Sequence, residues 1–254
     1  EADESDGTLA LYEPEIGVVT NVDFDHREHF ADEREFFEVF RAFAGRVRGR
    51  LMFGADDARA REIARAARGA WGCGLTAGAT VCGDRVETTP TGISFDTWFE
   101  GRRLGRVTLP VPGLHNARNA LTAIGAALAM GWPFEAAQEA LAVFRPARRR
   151  LEPVFEGGGL RVFSDYAHHP TEIRALLDSV RAPAVAGVLP APPVHAHAGA
   201  RSGLSSGVRR RRSRVAVAGV RGLRAAAGGR NLRGPAAPFR SARTAAGPAG
   251  RLPR

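Results

Sequence analysis

The 254 residues contain no lysine, only two cysteines and, beyond residue 180, not one aspartate or glutamate. Cys73 and Cys82 stand in no CxxC spacing and beside no histidine pair, so neither a disulfide framework nor a zinc site is suggested. No apolar run approaches the roughly eighteen residues needed to span a bilayer. The opening EADESD lacks the basic-then-apolar layout of a secretory signal. A cytoplasmic protein with no membrane partner is the expectation.

Acidic residues are missing from one part only. The net charge is +9, but residues 1–180 carry 21 arginines against all 27 acidic groups, whereas residues 181–254 carry 15 arginines and no acid. The basic surplus therefore belongs to the tail, and a specific nucleic-acid partner is not indicated for the remainder. Of the tail's 74 residues, 52 are Ala, Arg, Gly or Pro, and Phe239 is its one aromatic. Such a segment has too few large apolar side chains to offset chain entropy, so residues 182–254 are expected to be disordered.

Up to about residue 181 the pattern is that of an α/β protein. Residues 16–22 (IGVVTNV) form a continuous apolar run of the kind a buried parallel strand needs. Residues 32–43 place Phe36, Phe37, Val39, Phe40 and Phe43 at helical spacing. A short strand over 50–53 and an Ala-rich helix over 56–70, its start marked by Asp56 and Asp57, complete a βαβ rhythm. From 80 to 111 the period falls to two, and Glu100–Gly101 divides ISFDTWF from RVTLPV as a hairpin. Helices are predicted over 116–130 and 133–144, punctuated by Gly131 and Pro133. A strand over 160–163 then leads into Asp165.

Three segments carry candidate chemistry. The first joins the acidic EADESD to TNVDFDH, which ends at His26. A carboxylate and an imidazole at the ends of neighbouring strands can converge on one divalent cation, though an acidic end is commonly only solvated. The second is GLHNARNA (113–120), where Asn116 and Asn119 share a helix face and offer amides to a purine edge; alternatively, Asn116 caps the helix. The third comprises ARRRLE (147–152) and SDYAHHPTE (164–172). Arg150 can hold phosphate or ribose oxygens, and Asp165 follows a strand, where open α/β sheets place ligand-binding residues. His168 and His169 suit a surface equally well.

In motif, order and spacing, EADESDG, VVTNVDFDH, GLHNARNA, a basic RR pair and DYAHHPTE resemble the Mur ligase family over residues 1–181. Ser5 and the TNVDFDH form resemble its L-alanine-adding branch. The resemblance implies a mixed-sheet α/β fold: an incomplete central ATP-binding domain over 1–146, then the first strand and helix of a Rossmann-like C-terminal domain over 147–181. It implies ATP and magnesium (Mg2+) as cofactors, and UDP-N-acetylmuramate and L-alanine as substrates joined through an acyl phosphate in peptidoglycan precursor synthesis. By position, Glu1 and His26 would be metal ligands, and His115, Asn116 and Asn119 would contact the adenine side of ATP. Arg150 would be a nucleotide and catalytic contact, Asp165 a catalytic residue and His168 a substrate contact.

Two departures qualify these expectations. The family's phosphate-binding loop and UDP-binding domain belong upstream of Glu1, and the chain has no GxxxxGK[ST]. The isolated chain is therefore expected to be inactive unless another polypeptide supplies complementing domains. After residue 182 the family's FQPHRYTRTR segment is replaced by AVAGVLPAPPVHAHAGA. GC-rich codons for these residues can be chosen so that the neighbouring frame reads RWRVFFQPHRYTRTRA, and an out-of-frame tail is the expectation. A nucleic-acid-binding protein with a basic arm, or a nonfunctional remnant, are the alternatives.

Overall fold

The computed structural model describes residues 2–158, 160–180, 185–188 and 214–218. The first sheet has six strands in sequence order: β1 Ile16–Val19, β2 Arg50–Gly54, β3 Ala70–Gly74, β4 Val81–Thr89, β5 Gly92–Phe99 and β6 Arg102–Leu109. β1 to β4 pair in parallel, whereas β4, β5 and β6 pair antiparallel. This is the mixed sheet expected of the α/β class. The Glu100–Gly101 turn joins β5 to β6 with both residues at positive φ, and Ile93 and Phe95 of β5 and Val107 and Leu109 of β6 alternate with polar neighbours.

Helices cover both faces of this sheet. On one lie α1 (Glu33–Arg46) and α2 (Ala58–Ile63). Asp32 caps α1 by accepting from the Glu35 amide, and the Glu35 carboxylate returns to the Ala31 amide at 2.8 Å. These contacts satisfy donors that the first helical turn cannot. Phe36 and Phe43 of α1 pack with Val19, Leu51 and Ile63. Against the other face lie α3 (Leu114–Ala129) and α4 (Phe134–Ala142), where Leu121, Ile124 and Phe134 meet Met52, Phe95 and Val107.

Several local expectations need correction. The first strand ends at Val19, not residue 22. The helix read over 56–70 is α2 followed by a short 3-10 turn, Ala64–Ala66, and its last position already belongs to β3. β3 has the sequence AWGCG, whose two glycines and cysteine conceal a central strand from propensity reasoning.

The second sheet is ordered β7 (Glu152–Gly157), β8 (Leu160–Ser164), β10 (Arg214–Ala218), β9 (Val185–Val188), and α5 (Pro170–Val180) follows β8. β7 was not expected; it runs antiparallel to β8, while β10 is parallel to both β8 and β9. Residues 185–188 and 214–218, read as disordered tail, are thus strands, and their sequences VAGV and RVAVA carry the β-branched residues that ladders favour. The rest of that tail lies outside the described residues. Among the described residues no helix is long and apolar enough to cross a membrane.

Candidate functional site at the junction of the two sheets

The entrance to α3 depends on glycine. Gly113 has φ +105°, and a Cβ there would collide with Ser179 of α5 and with the His115 ring. Gly113, not Asn116, is the N-cap. Asn116 instead donates from Nδ2 to the Pro112 carbonyl at 2.6 Å, so one of its donors is committed to shaping the turn. Asn119 is exposed on the following turn. A cavity of about 260 Å3 opens beside them, its walls including Thr88, Gly113, His115, Arg118 and Ser179.

His115 brings the sequence candidates together electrostatically. Burial pushes its pKa below the ordinary 6.5; the Asp165 carboxylate pulls the other way, and Arg118 and Arg150 add to the depression. The neutral imidazole is therefore favoured. Asp165 and Arg150, drawn from two further motifs, both lie near enough to bias the His115 ring.

Asp165 holds that junction in shape. Its Oδ2 accepts from the Leu151 amide at 2.7 Å and its Oδ1 from the Ala167 amide at 2.8 Å. The Tyr166 amide donates to the Arg149 carbonyl at 2.7 Å. Arg149 and Leu151 both have positive φ, a conformation that non-glycine residues keep only when the surroundings enforce it. Arg149 and Arg150 lie over the Tyr166 ring, 4.8 and 6.0 Å from its centroid. Asp165, expected to be catalytic, thus lies beside Arg150 with both carboxylate oxygens engaged by backbone amides.

A second link was not anticipated. The loop after β1 carries Asp23, whose Oδ2 accepts from Thr171 Oγ1 at 2.5 Å and lies 3.5 Å from His169 Nδ1. Arg59 Nη1 approaches the other oxygen at 3.8 Å. His169 therefore faces the first sheet. His168, the expected substrate contact, is exposed, with Nδ1 3.0 Å from the Tyr166 carbonyl oxygen and 3.6 Å from Glu172. A Thr–Asp pair 148 residues apart leaves no local periodicity by which sequence reasoning could find it.

His26 sits at φ 54°, with Nε2 3.5 Å from Glu4 and Nδ1 3.4 Å from Glu28. Glu1 lies outside the described residues. The two described carboxylates face opposite ring nitrogens, whereas magnesium needs several oxygens around one point. Among the described residues no group of three or more His, Cys, Asp or Glu is placed to hold a metal. These residues alone do not fit a magnesium site.

The Mur ligase middle domain matches residues 2–127. The UDP-N-acetylmuramate–L-alanine ligase of Thermobifida fusca is 41% identical over 187 residues, covering 72% of this chain and 39% of that protein. The enzyme of the same name from Mycolicibacterium vanbaalenii is 43% identical over 192 residues, covering 72% and 40%. The chain thus spans about two fifths of the length of these curated relatives. Among solved structures, UDP-N-acetylmuramate–alanine ligase from Thermotoga maritima superposes with a TM-score of 0.61 at 26% identity, over 73% of this chain and 43% of its own. A Mycobacterium tuberculosis folylpolyglutamate synthase complexed with ADP and AMPPCP shares the fold, with a TM-score of 0.57 at 19% identity over 70% and 42%.

Proposed function

This chain belongs to the Mur ligase family, and from that premise we propose that it supplies the base-side wall of an ATP site and the adjoining domain junction for ligation of L-alanine to UDP-N-acetylmuramate. The reaction has two steps. The muramoyl carboxylate attacks the γ-phosphorus, the bond to ADP breaks and an acyl phosphate forms; the alanine amine then attacks the acyl carbon, and phosphate leaves with the amide formed. Phosphoryl transfer of this kind depends on positioning and charge stabilisation. In this reading Asn119, with the free acceptor end of Asn116, reads the purine edge, and neutral His115 packs beside the sugar. Arg150, aimed by Asp165 and Tyr166, meets phosphate or ribose oxygens. Magnesium, when bound, would neutralise phosphate charge.

The observation that carries this reading is the junction geometry: Asp165 accepts from the Leu151 and Ala167 amides beside Arg150, whose guanidinium lies 6.0 Å from the Tyr166 ring centroid, and the Gly113 entrance to α3 closes on Ser179 of α5. Calorimetric titration of the full chain with ADP and with GDP tests it. ADP should bind the more tightly, Asn119→Ala should remove most of that preference, and Arg150→Ala should weaken both nucleotides alike. Equal affinity for ADP and GDP in the parent chain would sink the proposal.

A further inference from the structure

Asp56 and Asp57 stand together after β2, yet the fold separates their work. Asp57 is the N-cap of α2 and accepts from the Ala60 amide at 2.7 Å. Asp56 turns the other way, towards the loop that leaves β3. Its Oδ2 accepts from the Leu75 amide and its Oδ1 from Thr76 Oγ1, both at 2.8 Å. Space for this carboxylate comes from Gly74, where a Cβ would collide with Asp56 Oδ2. Arg118 of α3 closes the arrangement, with Nε 3.3 Å from the same Oδ2. The Asp56 side chain is 17% exposed and that of Arg118 is 45% exposed, so the carboxylate is the fixed member of the pair.

Arg118 is also one of the charges that hold His115 neutral, it lines the junction cavity, and it directly precedes Asn119. Asp56, Arg118 and His115 therefore form a series that runs from the carboxyl end of the parallel strands to the junction. We propose that Asp56 is a positioning residue for base recognition. By fixing Arg118 it sets the first two turns of α3, and by holding Leu75 and Thr76 it sets the facing loop, so that Asn119 meets the base at one angle. This inference rests on the nucleotide reading above, and it assigns selectivity to a residue that need not touch the nucleotide.

The test is the ratio of ADP to GDP affinity in the full chain and in Asp56→Asn, Arg118→Leu, Arg118→Lys and the double variant Asp56→Asn/Arg118→Leu. Residues that act as one unit are non-additive. Each of Asp56→Asn and Arg118→Leu should lower the ratio by about three- to tenfold, the double variant should be no worse than the stronger single, and Arg118→Lys should retain most of the preference. Asp57→Ala, which removes the α2 cap alone, should lower the melting temperature and leave the ratio unchanged; a purely structural role for Asp56 would give that same pattern. If Asp56→Asn fails to fold, Arg118→Leu, altered at an exposed guanidinium, reads the same pair. An unchanged ratio in the folded variants, or fully additive losses, would overturn this inference alone. No ADP preference in the parent chain would overturn it together with the nucleotide reading.

Discussion

The two sheets differ in how each is held. The first has a core on both faces, in which Phe36, Leu51, Phe95, Leu121 and Ile124 are each at most 2% exposed. The second, among the described residues, buries Phe163 and Leu176, with Leu151, Ala167 and Val180 packed partly against them. Val154 and Phe155 of β7 remain more than half exposed. Polar links supply much of what apolar burial does not: Asp165 ties the junction backbone, and Thr171 and His169 meet Asp23 in the loop after β1. The first region is specified by packing and the second by hydrogen bonds at its border. The catalytic reading depends on that border.

The sharpest way to break this contrast is a matched pair of core truncations. Leu121→Ala should cost about 3–5 kcal/mol, because well-packed surroundings cannot collapse onto the cavity. Leu176→Ala, in the small cluster, should cost roughly 2 kcal/mol, at the low end for such truncations. Urea unfolding followed by far-ultraviolet circular dichroism gives both values. Equal losses would remove the distinction between a packed and a tethered region.

Asp165→Ala should have the next largest effect, roughly 1–3 kcal/mol, since it leaves the Leu151 and Ala167 amides without their acceptor. The effect should be local. Amide exchange should rise at Leu151 and Ala167 and stay unchanged at Leu121, and trypsin should cut sooner at Arg148 to Arg150. Unchanged exchange at Leu151 would show that the tether is not what orders the junction. At the cap of α1, Asp32→Ala should cost about 1 kcal/mol, with loosening confined to the first turn of that helix.

The same contrast explains what was legible beforehand. β1, α1, α3 and the β5–β6 hairpin each carry their own signal, whether an apolar period, a cap or a Glu-Gly turn, and the sequence reading found them within a few residues. β3 carries none, because its strand character comes from its neighbours on either side. Asp56 and Asp57 looked like a single helix-start signal, since sequence cannot show two adjacent carboxylates facing opposite ways. At the site, His115, Arg150 and Asp165 stand in motifs that the sequence displays, whereas the contacts of Asp23, Thr171 and Arg118 are with partners far along the chain. The alternative reading of Asn116 as a cap fails because Gly113 assumes that duty through its backbone alone. His168 was preferred to its neighbour, and only the direction of α5 shows that His169 faces inward.

The smallest expected effect concerns pH and tests whether the junction is closed over His115. Burial, aided by Arg118 and Arg150, lowers the folded pKa below the ordinary 6.5 despite Asp165. When the chain unfolds, the ring returns to ordinary affinity for protons, so near and below pH 6.5 the unfolded state binds more protons than the folded one. Stability is then complete above pH 6.5, is lost as pH falls through that value, and stops falling once the folded ring is itself protonated. His115→Gln removes this titration. The parent-minus-variant difference in unfolding free energy should therefore be flat between pH 7.5 and 8.5 and should shift against the parent from pH 6.5 downward. Paired urea titrations at each pH cancel the background titration of the carboxylates. A difference that stays flat to pH 5 would mean that His115 is open to solvent and that the second sheet does not cover it in solution. A shift in favour of the parent would mean that Asp165, not burial, dominates the ring, so that the junction favours an imidazolium where this structure favours a neutral imidazole.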